Sequence, residues 1–322
     1  MNKNSTDLWD AAQWASDFSA ASKARYAGDF SAADTLHDLR ARVFADTVGR
    51  VRAGGYDLAD GTRVDLPLSP TVGDDTRFYD RELPAGPPAA PDAAPTPVEV
   101  REGDCLVAAR ELVEAGEGEV CVLNMASRRN PGGGVHSGAG AQEEHIFRSS
   151  DYFRSLYRYA AGFDPREYGV SPARESYPLD RDHGGVFSRG VTVFRGPEGE
   201  GYPLLAKPWR CNFVAVPAIP NPDTVPGPDG SPRLTPAMEA ATRRKIRAIL
   251  RIARENGQRV LVLSAFGCGA FHNPPRHVAE LFRDELAAPE FRAAFGRVVF
   301  SVIDDHNARG EGNVKPFRDV FA

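Results

Sequence analysis

The 322-residue sequence holds only four cysteines, Cys105, Cys121, Cys211 and Cys268, widely spaced and without a Cys-x-x-Cys pair. That spacing argues against a disulfide framework and against a thiolate zinc site, and it predicts reduced thiols. No apolar run exceeds strand length, so no membrane span is expected. The first residues, MNKNSTDLWD, lack the basic-then-apolar pattern of a signal peptide, which makes a cytoplasmic location the expectation. Charge of one sign is not in excess: 39 Lys and Arg against 44 Asp and Glu leave a formal net charge of −5. General nucleic-acid or anionic-membrane binding has no electrostatic support in that balance. The basic cluster Arg243, Arg244, Lys245, Arg247, Arg251 and Arg254 is interleaved with Ile246, Ile249, Leu250 and Ile252, the pattern of a packed helix with a solvated face. A GxxxxGK[ST] motif is missing, which argues against a Walker-type triphosphate site. The glycines around Gly134, Gly138 and Gly140 do not have dinucleotide-fingerprint spacing, and no acidic residue ends a following strand.

Hydrophobic residues make up 42% of the chain, ample for a real core in one large domain or two smaller ones. Residues 6 to 53 carry helical signals, with Thr6 or Ser5 as candidate N-cap and Leu8, Ala11, Ala12, Ala15 and Phe18 at near-helical spacing. A second helix is expected over about 32–52, and 56–66 reads as a hairpin around Asp60-Gly61. Prolines 84, 87, 88, 91, 95 and 97, among many alanines, mark 67–97 as an extended linker. Domain boundaries follow: a helical accessory region at 1–66, the linker at 67–97, and a catalytic domain at 98–322.

Beyond the linker, strand patterns at 98–101, 119–125, 186–194, 211–216, 259–265 and 297–303 alternate with helix patterns. The helices are expected over 104–114, capped by Asp104, and over 142–160, 235–256 and 275–286, with loops at 161–185 and 217–235. Such alternation implies an α/β fold with a mixed, largely parallel sheet.

The chain is organised around NMASRRNPGGGVHSGAGAQEEHIFRS, residues 124 to 149. An apolar strand breaks into a loop with Gly132, Gly133 and Gly134, and seven residues later Gln142-Glu143-Glu144 opens a helix. Consecutive glycines suit a backbone that approaches a ligand closely or visits left-handed conformations. Ser264 to Phe271 likewise ends an apolar strand and leads toward a helix, where open α/β sheets bind ligands. Two such loops could share one crevice, and backbone N–H groups among small residues suit a diphosphate. Cys268 beside His272 reads as a small residue in a tight loop rather than a nucleophile, and His272 with His277 lacks a zinc-type helix pairing. His136 and His145 read as rim residues.

At these residues the chain resembles the microbial poly(ADP-ribose) glycohydrolases, which have a macrodomain fold. The family's motif is a triple glycine followed at a short distance by Gln-Glu-Glu, present here as Gly132-Gly133-Gly134 and Gln142-Glu143-Glu144. GCGAF, residues 267 to 271, is similar to the family's second, diphosphate-binding loop, and Gly103-Asp104 stands where related macrodomains place the acid that reads adenine. The resemblance covers about residues 98 to 322, and the N-terminal helices are similar to the accessory segment of microbial members. It implies a macrodomain-like three-layer sandwich. It also implies that Glu144 is the catalytic glutamate, that Glu143 holds the ribose beside the scissile bond, and that Phe271 packs beside the distal ribose. Gly132, Gly133, Gly134 and Val135, with Gly267, Cys268, Gly269, Ala270 and Phe271, would surround the diphosphate and distal ribose. Asn124, Asn130 and Gln142 are further implied substrate contacts. Ser127 falls where many macrodomains, animal glycohydrolases included, have asparagine, so its role stays open.

The implied activity is hydrolysis of ribose–ribose bonds in poly(ADP-ribose), or in the chains on ADP-ribosylated protein, with ADP-ribose as product. Neither a metal nor another cofactor is expected, and a monomer is. Two rivals stand beside it: a macrodomain hydrolase of single ADP-ribose units and a non-catalytic ADP-ribose reader. The complete Gln-Glu-Glu speaks against the reader.

Overall fold

A computed structural model of the chain describes residues 8–69, 72–73, 75–228, 230–305 and 307–322. Helices α1 (Ala11–Tyr26) and α2 (Ala32–Arg52) come first, then strands β1 (Gly55–Asp57), β2 (Arg63–Asp65), β3 (Arg77–Tyr79) and β4 (Val98–Glu102). The middle of the chain forms α3 (Cys105–Glu114), β5 (Val120–Met125), α4 (Gln142–Ser149), α5 (Phe153–Leu156), β6 (Gly185–Arg195) and β7 (Leu204–Val216). The last third forms β8 (Thr224–Pro226), β9 (Pro232–Leu234), α6 (Pro236–Glu255), β10 (Val260–Leu263), α7 (Pro275–Ala287), β11 (Arg297–Val302) and α8 (Val314–Phe321). Two compact units divide these residues: Met1–Thr76, Arg129–Pro178 and Ser188–Arg210 in one, Arg77–Arg128, Leu179–Phe187 and Cys211–Ala322 in the other.

Several elements differ from the sequence pattern for identifiable local reasons. The N-cap candidates Thr6 and Ser5 lie outside the described residues; α1 is capped by Asp10, whose carboxylate accepts from the Gln13 N–H at 2.8 Å. The helix expected over 142–160 breaks at Ser150, which is fully extended and bridges to Val193. Its Oγ donates to the Ile146 carbonyl at 2.7 Å, the competition by which serine ends or bends helices. The 217–235 loop contains a hairpin in which Thr224 pairs with Leu234. Thr235 does begin α6, but its side chain makes no cap bond. Helix α8, which no sequence signal announced, is capped from ten residues upstream: Asp304 Oδ1 accepts from the Val314 N–H at 3.1 Å.

The proline-rich stretch is extended and pinned. Arg292 donates to the carbonyls of Ala90, Pro91 and Ala93 at 2.8 to 3.0 Å, and the Ala89 N–H reaches Pro289 O at 2.7 Å. Because proline has no N–H, such a segment cannot form its own ladder, and an arginine fork supplies donors instead.

Seven strands form a mixed sheet in the order β3-β6-β7-β5-β10-β11-β4. β7, β5, β10, β11 and β4 run parallel, with Val262 opposite both Val122 and Val299, while β3 pairs with β6 antiparallel. In the parallel strands alternate residues divide between two covered faces. Cys121, Leu123, Leu261, Leu263, Val298 and Phe300 belong to one buried cluster with Ile246, Ile249, Leu250, Phe282 and Phe317 of α6, α7 and α8. Helix α3 packs on β5, β10 and β11, where Val120, Val122, Val262 and Val299 are also fully buried. A parallel sheet needs both faces covered, and that requirement accounts for the unbroken apolar runs. The basic face of α6 is wet only in part: Lys245 and Arg251 are buried, and Arg243, Arg247, Arg251 and Arg254 are paired with Glu239, Asp284, Glu285, Glu82 or Glu290. Among the described residues no helix is long and apolar enough to cross a membrane.

Candidate active site

The triple-glycine loop and the start of α4 lie in the same unit, and the backbone explains why glycine is needed. Gly132 and Gly133 have φ of +79° and +56°, where an L side chain is strained. A Cβ on Gly132 would sit 2.6 Å from Phe147 Cε1, and one on Gly133 would overlap Glu144 Oε1. The loop therefore lies directly on the helix that carries the two glutamates.

Its N–H groups are spent on that helix and on its own turns. Gly132 N–H donates to Glu143 Oε1 at 3.1 Å, and Gly134 N–H donates to Glu144 Oε1 at 2.8 Å. The Gly133 and Val135 amides close turns onto the carbonyls of Asn130 and Gly132. In this structure the loop holds the carboxyl groups of both glutamates. Both glutamates are buried, Glu143 3% and Glu144 6% exposed, and Glu144 Oε2 is buried without a hydrogen-bond partner. Gln142 is half-buried and Val135 buried beside them, while Asn130 is exposed.

Around this loop the rim is aromatic. His136 Nε2 lies 2.9 Å from the Tyr157 hydroxyl, and its ring packs against Phe44, Tyr157, Phe163 and Tyr168. Desolvation by these rings lowers the His136 pKa. His145 instead faces the Tyr202 hydroxyl at 3.4 Å.

The other unit gathers a second set of expected residues at the carboxyl ends of parallel strands. Asp104 follows β4, Asn124 and Ser127 end and follow β5, and Gly267 to Phe271 follow β10. Asp104 caps α3, its Oδ1 accepting from the N–H groups of Leu106 at 2.7 Å and Val107 at 3.3 Å, worth about 1 kcal/mol. Asn124 is fully buried and Ser127 half-buried. Gly267 has φ +75°, and a Cβ there would meet Asn273 Nδ2 at 2.6 Å and Ala218 Cβ at 2.7 Å. Buried Asn273 donates from Nδ2 to the carbonyls of Ile219, Gly267 and Phe271. This brace was missed in the sequence, where only its place just before Pro274-Pro275 could have marked it. Cys268 is buried with its thiol pKa pushed well up by desolvation, so it stays a neutral thiol. Ala270 is exposed and Gly269 and Phe271 half-buried; among the described residues none of their amides has a hydrogen-bond partner.

No group of three or more His, Cys, Asp or Glu is arranged to hold a metal among the described residues. Sequence reasoning also missed Arg148, fully buried on α4, and Tyr202, which it touches.

Residues 45–196 match the family model described as "Microbial-type PARG, catalytic domain". No curated protein sequence matches the chain. Among solved structures, poly(ADP-ribose) glycohydrolase from Thermomonospora curvata is 33% identical with a TM-score of 0.68, covering 87% of this chain and 98% of its own. The same enzyme bound to the inhibitor ADP-HPD aligns at 30% identity and a TM-score of 0.65 over the same shares. Poly(ADP-ribose) glycohydrolase from Deinococcus radiodurans in complex with ADP-ribose is 28% identical with a TM-score of 0.58, covering 80% of this chain and 98% of its own. With its triple-glycine loop, paired glutamates and seven-stranded sheet, the chain belongs to the microbial-type poly(ADP-ribose) glycohydrolases.

Proposed function

We propose that the protein hydrolyses ribose–ribose glycosidic bonds of poly(ADP-ribose), free or on ADP-ribosylated protein, and releases ADP-ribose, with Glu144 as general acid and then general base. The observation that carries this reading is the Glu144 carboxyl: Oε1 is held by the Gly134 N–H, and Oε2 is buried without a partner. An unpartnered buried polar atom costs about 1–3 kcal/mol and calls for an explanation such as a catalytic role. A proton on Oε2 passes to the departing 2′-oxygen as the anomeric carbon gains oxocarbenium character. The resulting carboxylate then takes a proton from the attacking water. Consecutive helical residues point about 100° apart, so Glu143, tied to the Gly132 N–H, takes a separate part and orients the ribose.

The available amides of Gly269, Ala270 and Phe271 support a diphosphate-binding part for that loop, with Phe271 beside the distal ribose. The family resemblance supports adenine recognition at Asp104, substrate contacts at Asn124, Ser127, Asn130 and Gln142, and a macrodomain-type catalytic domain at 98–322 behind an accessory region at 1–66 and a linker at 67–97. The four buried free cysteines support a reducing, cytoplasmic setting, and the working unit in this reading is a monomer without cofactor.

Digestion of the polymer with products resolved by size, comparing the native protein with Glu144→Gln, tests the reading. The substitution should lower ADP-ribose release by about 10²–10⁴-fold and leave ADP-ribose binding intact. Undiminished release from Glu144→Gln sinks the assignment. Turnover of mono-modified protein but not polymer would replace the reading by a mono-ADP-ribosyl hydrolase, and tight ADP-ribose binding without any turnover by a reader.

A further inference from the structure

Helix α4 carries Glu143 and Glu144 in its first turn and Arg148 one turn later, fully buried. Residues three to four apart share a helix face, so Arg148 lies under the loop that precedes the helix. Its Nη1 donates to the Ala139 carbonyl at 2.7 Å. The Ala139 N–H donates to Gly134 O at 3.1 Å, and the Gly134 N–H donates to Glu144 Oε1 at 2.8 Å. Three hydrogen bonds thus link the guanidinium to the proposed catalytic carboxyl through the backbones of two residues, Ala139 and Gly134.

The far side of the guanidinium is anchored as firmly. Nε donates to the Tyr202 hydroxyl at 2.7 Å, and that hydroxyl donates to Glu198 Oε1 at 3.0 Å. Glu198 accepts a two-point bond from Arg40 of α2 at 2.8 and 2.9 Å. Desolvation pushes the Glu198 carboxyl up, but the Arg40 bond and charge outweigh it and leave its pKa below the ordinary value. The N-cap residue Ala141 makes no side-chain cap bond, and Ser137 Oγ adds a local tie within the loop, donating to Gly134 O at 3.0 Å. Glycine is required at Gly138, with φ +76°, where a Cβ would overlap the His37 carbonyl of α2, and at Gly140 a Cβ would press on the Arg40 guanidinium. The loop is pressed onto α2, and from beneath Arg148 holds its Ala139 carbonyl.

We propose that Arg148 is a positioning residue for Glu144: through Ala139 and Gly134 it sets where the carboxyl oxygen stands. The proposal rests on the assignment of Glu144 as the catalytic acid and base. Lysine keeps the charge but lacks the planar fork that reaches Tyr202 and Ala139 together. Arg148→Lys should therefore lower kcat on the polymer at least about tenfold, with KM and the ADP-ribose dissociation constant unchanged within about twofold. Hydrogen exchange at the Gly134 and Ala139 amides should quicken by about tenfold or more, while exchange in β5 and β10 stays as in the native protein. A folded Arg148→Lys with native kcat, or with unaltered exchange at both amides, overturns the proposal. So does a variant in which kcat, KM and ADP-ribose affinity all worsen together. If Arg148→Lys does not fold, Tyr202→Phe, which removes only the hydroxyl that holds Nε, must show the same split of kcat from KM; native kcat in that variant also overturns the proposal. The exchange measurement needs no activity, so a native protein inert on the polymer would refute the Glu144 reading without deciding the part played by Arg148.

Discussion

Replacing Gly133 by alanine should damage catalysis far more than stability, and the structure sets the scale. A Cβ at this position overlaps Glu144 Oε1 and lies 3.1 Å from Glu144 Cδ and 3.2 Å from Glu143 Oε2. The backbone sits at φ +56°, where a non-glycine residue costs about 1–2 kcal/mol. Carboxyl groups end flexible side chains, so they can retreat by about 1 Å at small steric cost, a displacement that lowers rates by about 10²-fold when it falls on a reacting group. Retreat also stretches the Gly134 N–H bond to Glu144, and a hydrogen bond of this kind is worth about 0.5–1.5 kcal/mol. Each kcal/mol corresponds to a few degrees of Tm, about 2–4 °C in chains somewhat shorter than this one. The expected outcome is a fall in kcat of about 10²-fold, with near-native affinity for ADP-ribose by calorimetry and a Tm lowered by several degrees. Gly132→Ala provides the contrast: its Cβ would meet the buried Phe147 ring at 2.6 Å, which has nowhere to go, so stability should suffer first. Gly133→Ala with native kcat, or a loss of activity that merely tracks unfolding, would refute the argument that this glycine leaves room for the carboxyl.

Two further outcomes follow from buried titratable groups. Desolvation pushes the Cys268 thiol well above its ordinary pKa, so the folded protein at about pH 8 should resist alkylation at this position until denatured; rapid native labelling of Cys268, read by peptide mass, would contradict that burial. His277 is buried, its Nδ1 accepting from the Leu234 N–H at 2.9 Å, and desolvation first, then Arg233 and Arg243, lowers its pKa against the opposing pull of Glu239 and Glu280. The folded state then binds fewer protons than the unfolded chain between this lowered value and about 6.5. Stability should accordingly fall as pH drops from about 7 through that window, and His277→Gln should remove part of the slope of Tm against pH; an unchanged slope would show that His277 does not supply it.

Local pattern was enough for most elements because their signals are short-range. Asp104 before an apolar-periodic segment marks α3, which runs Cys105–Glu114 as expected from the cap. Asp60-Gly61 marks the β1–β2 hairpin, with Gly61 at φ +83°. Elements that were missed or misjudged depend on partners distant in sequence. Helix α8 is capped by Asp304, the 142–160 helix breaks where Ser150 bridges to Val193, and Asn273 braces a loop through carbonyls up to 54 residues away. None of these leaves a periodic trace.

For the candidate site, the triple glycine and the Gln-Glu-Glu are legible in the sequence because both are contiguous, and a glycine with a large positive φ has few substitutes. Residue order alone also leads to the two strand-end loops, since an apolar run followed by small residues reads the same in any α/β chain. Which loop spends its amides and which keeps them available is a matter of tertiary structure. The N–H groups of Gly132 and Gly134 turn to Glu143 and Glu144, whereas those of Gly269 to Phe271 have no partner among the described residues. Only the folded chain brings Arg148, Tyr202, Glu198 and Arg40 into one network, over as many as 158 residues of separation. Composition and spacing thus determined the chemistry available to the protein. Directional hydrogen bonds, which depend on three-dimensional neighbours, decided which groups hold the carboxyl and which remain open to a ligand.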